Sequence, residues 1–136
     1  MRHGALLGPP IKHPLRALPV LALVVAGAAH IPVIPAHLRE APYIGVLFIV
    51  LTVASFALAA VLALGDVAAA YLSTAAVMGL ALLAYVISRT VGLPQIGDDI
   101  DNWLEPLGVV AITAEATALV SALAIGLKAR HRSGTH

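Results

Sequence analysis

The sequence predicts an all-α fold, a transmembrane four-helix bundle running up-down-up-down with both termini cytoplasmic. Three observations predict it. Four apolar stretches, each about 20 residues long, match the length a helix needs to cross a hydrocarbon core of roughly 30 Å. Hydrophobic residues make up 60% of the 136-residue chain and charged residues 11%, against about half and about a quarter in soluble domains. The charges fall into the gaps between the stretches and into the two ends. Of the 8 Lys and Arg residues, Arg2, Lys12, Arg16, Lys128, Arg130 and Arg132 lie near the termini, while Arg39 and Arg89 lie in the intervening loops. The excess of positive residues marks the cytoplasmic side, so the termini face inward and the two polar loops outward. This makes the chain a multi-pass membrane protein.

Three segments follow: a basic cytoplasmic leader at 1–16, a four-helix transmembrane domain at 17–127 and a basic cytoplasmic tail at 128–136. The leader carries Pro9, Pro10 and Pro14 and is expected to be irregular. The first span runs from Ala17 to Val33 and is interrupted by Pro32 and Pro35, with a short polar loop from Ala36 to Pro42. The second span, Tyr43 to Leu64, has no charge, and Gly65-Asp66 reads as a tight turn. The third runs from Val67 to Ser88, and Thr90 to Glu105 form the longest loop. Pro106 suits the first turn of the fourth span, where its missing N–H is not needed. A second reading of the N-terminal part also stands. The basic leader, apolar Leu18 to Val25 and small Ala26-Gly27-Ala28-Ala29 have the form of a cleavable signal peptide, although cleavage would leave three spans.

Glu115 is the most unusual residue, an acid about ten positions into the fourth span. Ionisable groups at that depth are costly and point to function by default. Ala111, Ala118, Ala122 and Gly126 share its helix face and let another helix approach closely, so Glu115 is expected to face the bundle interior. The alternative is a protonated carboxyl that only bonds one helix to the next. On the third span Tyr71, Thr74, Met78, Tyr85 and Arg89 share a face. Side chains lean toward their helix N-terminus, which lets Tyr85, Arg89 and Glu115 converge as an intramembrane polar cluster. Against that, Arg89 can snorkel to lipid headgroups and Tyr85 belong to the interfacial belt.

His30, His37 and Glu40 form a third set. Imidazole and carboxylate suit copper or zinc, although the spacing matches no established metal pattern, and hydrogen-bonding roles are the simpler expectation. The acidic run Asp98-Asp99-Ile100-Asp101 lacks the ligand spacing of an EF-hand loop and reads as a solvated turn capping the fourth span. Glu105 sits at the helix start and Trp103 reads as an anchor at the membrane surface. With no cysteine in the chain, disulfides, thiolate catalysis and thiolate metal sites are excluded.

With these residues in view, the chain resembles an uncharacterised family of small four-span bacterial integral membrane proteins. The likeness rests on His30-x6-His37-x2-Glu40, on Ser88-Arg89-Thr90-Val91-Gly92-Leu93-Pro94 and on Glu105-Pro106-Leu107-Gly108, with Glu115 following. The resemblance implies the architecture and the choice of residues; it carries no assigned activity. The residues themselves favour a non-enzymatic protein whose outward-facing cluster of His30, His37, Glu40, Arg89 and Glu105 binds a cation or a partner protein. Two alternatives remain: a proton-coupled or ion-conducting homo-oligomer centred on Glu115, and an accessory subunit of a larger membrane complex. Nothing pairs a nucleophile with a base, and no basic patch with interleaved aromatics points to nucleic acid.

Overall fold

A computed structural model describes residues 10–134. Its helices are α1 (Ala17–His30), α2 (Ile34–Glu40), α3 (Pro42–Leu64), α4 (Ala68–Thr90) and α5 (Pro106–Ser133), with short 3-10 turns at Ile31–Val33 and Gly97–Asp99. Among the described residues, four helical segments are long and apolar enough to cross a membrane: Ala17–Glu40, in which α1 and α2 run on through the first 3-10 turn, and α3, α4 and α5. By length and composition the chain is a multi-pass membrane protein. The exposed apolar side chains agree with that solvent. Leu64 is 88% exposed and Leu80 67% exposed, and α3 shows Val46, Leu47, Val50 and Val53 along one face. Water would not tolerate an apolar surface of that extent.

The ends of each helix follow from local chemistry. Pro32 and Pro35 do not end the first span. Each sits in the opening turn of the next helical piece, where a proline N–H is not missed. Continuous helix from Ile34 to Glu40 thus replaces the loop expected at Ala36 to Pro42. The break comes at Ala41, which is extended at φ −143° because Pro42 disfavours helical backbone in the residue before it. At the other end of α3, Gly65-Asp66 does form a turn, with Asp66 at φ 48°, a left-handed conformation that Asp tolerates better than most residues.

At the end of α4, Gly92 adopts φ 85° and donates its N–H to the Ile87 carbonyl at 2.9 Å, closing the last turn. A side chain here would also meet Ile100 Cδ1 at 2.9 Å. Glu105 caps α5: its carboxylate accepts from the N–H groups of Leu107 at 3.1 Å and Gly108 at 2.5 Å. The cap is thus Glu105 and not the acidic run upstream. α5 continues to Ser133, six residues past the expected Leu127, so Lys128, Arg130 and Arg132 ride on helix. Residues 1–9 of the basic leader lie outside the described residues. Pro10 bridges to Val67, and Ile11 donates to the Asp66 carbonyl at 2.8 Å.

Around the bundle, α1 packs between α3 and α5, α4 packs most extensively on α5, and the contact between α3 and α4 is slighter. The central core joins Leu23 and Ala26 of α1, Leu62 of α3, Tyr71 and Met78 of α4, and Ala118 and Ala122 of α5. A smaller cluster of Ala41, Ile44 and Ile96 closes one end. Small residues dominate α5 where it meets its neighbours, because in lipid close backbone approach replaces the hydrophobic effect as the source of helix association. Its hydroxyls are satisfied within the helix: Thr113, Thr117 and Ser121 each donate to the carbonyl four residues back, so none is left unpaired in hydrocarbon.

Candidate functional site

Glu115 is the tenth residue of α5, which puts it about 14 Å along the helix. Its neighbours Ala111 and Ala118 are buried with it, and Glu115 is only 2% exposed. The small side chains that surround it leave room for one large polar partner from the facing helix. That partner is His30, the last residue of α1, itself 7% exposed. His30 Nε2 lies 3.6 Å from Glu115 Oε1.

The other ring nitrogen fixes the chemistry. His30 Nδ1 is 2.7 Å from the Ala26 carbonyl oxygen. A carbonyl can only accept, so Nδ1 carries a proton, and in the neutral ring Nε2 presents its lone pair to the carboxyl. The pair then holds one shared proton in two ways, as carboxylic acid with imidazole or as carboxylate with imidazolium. Both states have no net charge, which makes the pair far cheaper to bury than either ion alone. The separation is longer than an ordinary hydrogen bond, so transfer requires α1 and α5 to close slightly.

On its other side His30 meets Phe48 of α3, edge to face, with ring centroids 4.9 Å apart. His37 of α2 packs against the same ring at 4.8 Å, and its Nδ1 donates to the Val33 carbonyl at 2.8 Å. Phe48 thus sits between a buried imidazole and a part-buried one. This arrangement does not gather His30, His37 and Glu40 about one point. Among the described residues, no group of three or more His, Asp or Glu side chains is placed to hold a metal ion, and the copper or zinc expectation finds no assembled site. The reason is local: each imidazole is tied to its own helix one turn back, and both rings are committed to Phe48.

Tyr85, Arg89 and Glu115 do not converge either. Arg89 is buried, but its guanidinium turns to the long loop. Nη1 lies 2.8 Å from Asp99 Oδ2 and donates to the Asp99 carbonyl at 3.4 Å, while the group stacks 4.6 Å over the Tyr85 ring. Tyr85 in turn donates to the Trp103 carbonyl at 3.3 Å and meets the indole edge to face. The expected triad is replaced by two separate sets, His30 with Glu115 inside the bundle and Arg89 with Tyr85 and Asp99 at its end. Of the proposed outward cluster, Glu105 is occupied as a helix cap.

A further polar group escaped notice in the sequence. Asp66 is 2% exposed, accepts from the Tyr71 hydroxyl and lies 3.6 Å from Arg16 Nη1. A Gly-Asp turn gives no sign of burial; in the fold Tyr71 and Arg16 both meet its carboxylate. The His30–Glu115 pairing had a signal that could have found it. These are the one basic and the one acidic side chain lying within the apolar stretches, and buried charges are paired.

No protein-family model, curated protein or solved structure matches the chain.

Proposed function

We propose that this protein is a non-enzymatic, multi-pass protein of the bacterial cytoplasmic membrane, running up-down-up-down with both termini inside, and that it handles protons at His30 and Glu115. The observation that carries the reading is the sealed acid–base pair between α1 and α5, with Nε2 and Oε1 3.6 Å apart. An ionisable pair kept in the membrane interior is expensive to retain, and its default meaning is a proton or ion pathway. Here the pair has one mobile proton and two isoelectric states, so a proton that arrives at one partner as another leaves the other partner returns the pair to zero net charge. His37, across the Phe48 ring, is the nearest imidazole toward the outer end and the natural outer station, with Phe48 as the apolar barrier between them.

The test is proton flux in liposomes loaded with a pH-sensitive dye. The wild-type chain should dissipate an imposed pH gradient, and Glu115→Gln, which keeps a hydrogen-bonding amide but cannot titrate, should reduce that to the rate of empty liposomes. Equal flux in the two proteins would overturn the reading.

A second reading is an accessory subunit of a larger membrane complex or a homo-oligomer, for which the slighter contact between α3 and α4 leaves one side of α3 free to meet another helix. A partner that co-purifies in fixed ratio supports it, and a monodisperse single-chain particle opposes it.

A further inference from the structure

A groove runs along the outside of the bundle between α1 and α5. Two adjoining hollows form it, of about 710 and 380 Å³, which share Leu18 and Thr117. Its walls are apolar, with Leu15 and Leu18 from the α1 side and Val120 and Ala124 from α5. Thr117 and Ser121 also line it, but their hydroxyls donate to the Thr113 and Thr117 carbonyls at 2.8 and 2.6 Å. The walls therefore ask for no polar ligand.

The mouth is different. His13 and Lys128 both line the larger hollow. His13 Nδ1 accepts from the Leu15 N–H at 3.1 Å, which places the ring proton on Nε2 as a donor, and Lys128 supplies an ammonium. No acidic side chain lines either hollow. An apolar channel that ends in two donors, one of them a fixed cation, matches an amphiphile with an anionic head.

We propose that this groove binds one anionic phospholipid, with its phosphate at His13 and Lys128 and an acyl chain lying along α5. Basic pockets between helix ends are a recurring way of holding such headgroups. The geometry fits the bilayer. From Lys128 to Thr117 is eleven residues, about 16 Å at helical rise, close to half of the roughly 30 Å hydrocarbon thickness and so to the reach of one leaflet. A second copy of the chain fits less well, since copies in one membrane share an orientation. Contact through this groove would bring two Lys128 side chains and two His13 rings to the same level. The inference needs only the membrane placement and is independent of proton exchange, because Glu115 lies inside the bundle and His13 and Lys128 at its end.

The experiment uses the full chain in detergent, with phosphatidylglycerol and phosphatidylcholine of identical acyl chains added separately. Native mass spectrometry counts retained lipid, and thermal unfolding reports stabilisation. Phosphatidylglycerol should stay bound at one per chain and raise the Tm, and phosphatidylcholine should do neither. Lys128→Gln should weaken retention about fivefold, the effect of one basic residue at a membrane surface, while Lys128→Arg restores it. Ala116→Leu, or Ala124→Leu if the first fails to fold, fills the groove and should abolish retention with both headgroup donors intact. Equal retention of the two lipids, retention unaffected by the plugged groove, or an equal Tm rise with inorganic phosphate would overturn the proposal. So would a dimer that Ala116→Leu separates into single chains.

Discussion

His30 and Glu115 constrain one another, and the constraint makes a prediction about single substitutions. With Nδ1 committed to the Ala26 carbonyl, Nε2 of a neutral His30 needs a donor from α5. Glu115→Gln offers an amide N–H in nearly the same place, whereas Glu115→Leu offers none. The leucine variant should unfold more easily than wild type by about 1–2 kcal/mol, the typical upper range for a polar contact inside a membrane protein, with glutamine losing less. Titration with sodium dodecyl sulfate against helical circular dichroism gives the comparison; a leucine variant as stable as wild type would show that the pair contributes nothing to holding α1 on α5. At this scale the sequence spoke clearly about burial and poorly about partnership. Glu115 was placed inside by the alanines on its face, but its partner depended on which helix α5 faces at that level, a property of four-helix packing and not of any one span.

The elements were legible wherever length and apolar composition decide, and illegible where prolines and caps do. Proline within a span reads as a break because it removes a donor; yet at Pro32 and Pro35, each in an opening turn, that donor is spare, so the chain continues as 3-10 turn and α2. α5 outran its apolar stretch because a helix can project from the membrane with charged residues on it. Close helix contact gives the test at this scale. A Cβ on Gly126 would come within 3.1 Å of Leu72 Cδ2 and 3.3 Å of Tyr71 Cβ, so Gly126→Leu must push α5 away from α4. Overpacking of this kind costs about 1–3 kcal/mol. Gly134→Leu is the control, since nothing approaches its Cβ position closer than 3.8 Å. The Tm in detergent should fall for Gly126→Leu and stay put for Gly134→Leu. A second element-scale test concerns the loop after α4. Arg89→Lys keeps the charge but loses the planar group over Tyr85. Hydrogen exchange at the Asp101 amide, bonded to the Arg89 carbonyl at 2.9 Å, should then accelerate.

For the molecule as a whole, the contacts sort the chain into two ends. One holds Ile11, Arg16 and the Asp66 turn together, with Gly126 of α5 packed on Tyr71 and Leu72. The other holds Tyr43, whose hydroxyl donates to the Pro94 carbonyl at 2.6 Å, together with the Arg89–Asp99 pair. The described basic residues divide unevenly between these ends, with Lys12, Arg16, Lys128, Arg130 and Arg132 at the first against Arg39 and Arg89 at the second. Positive residues close to span ends are retained in the cytoplasm, so the first end should be inside. The chain has no cysteine, and each introduced thiol is therefore a unique reporter. Asn102→Cys and Ser133→Cys both replace exposed residues, one at each end. A membrane-impermeant maleimide added to intact cells should label Asn102→Cys and reach Ser133→Cys only after lysis. Labelling of both from outside would mean an even number of crossings between them, or a bundle that does not span at all, and would remove the compartments that proton exchange at His30 and Glu115 requires.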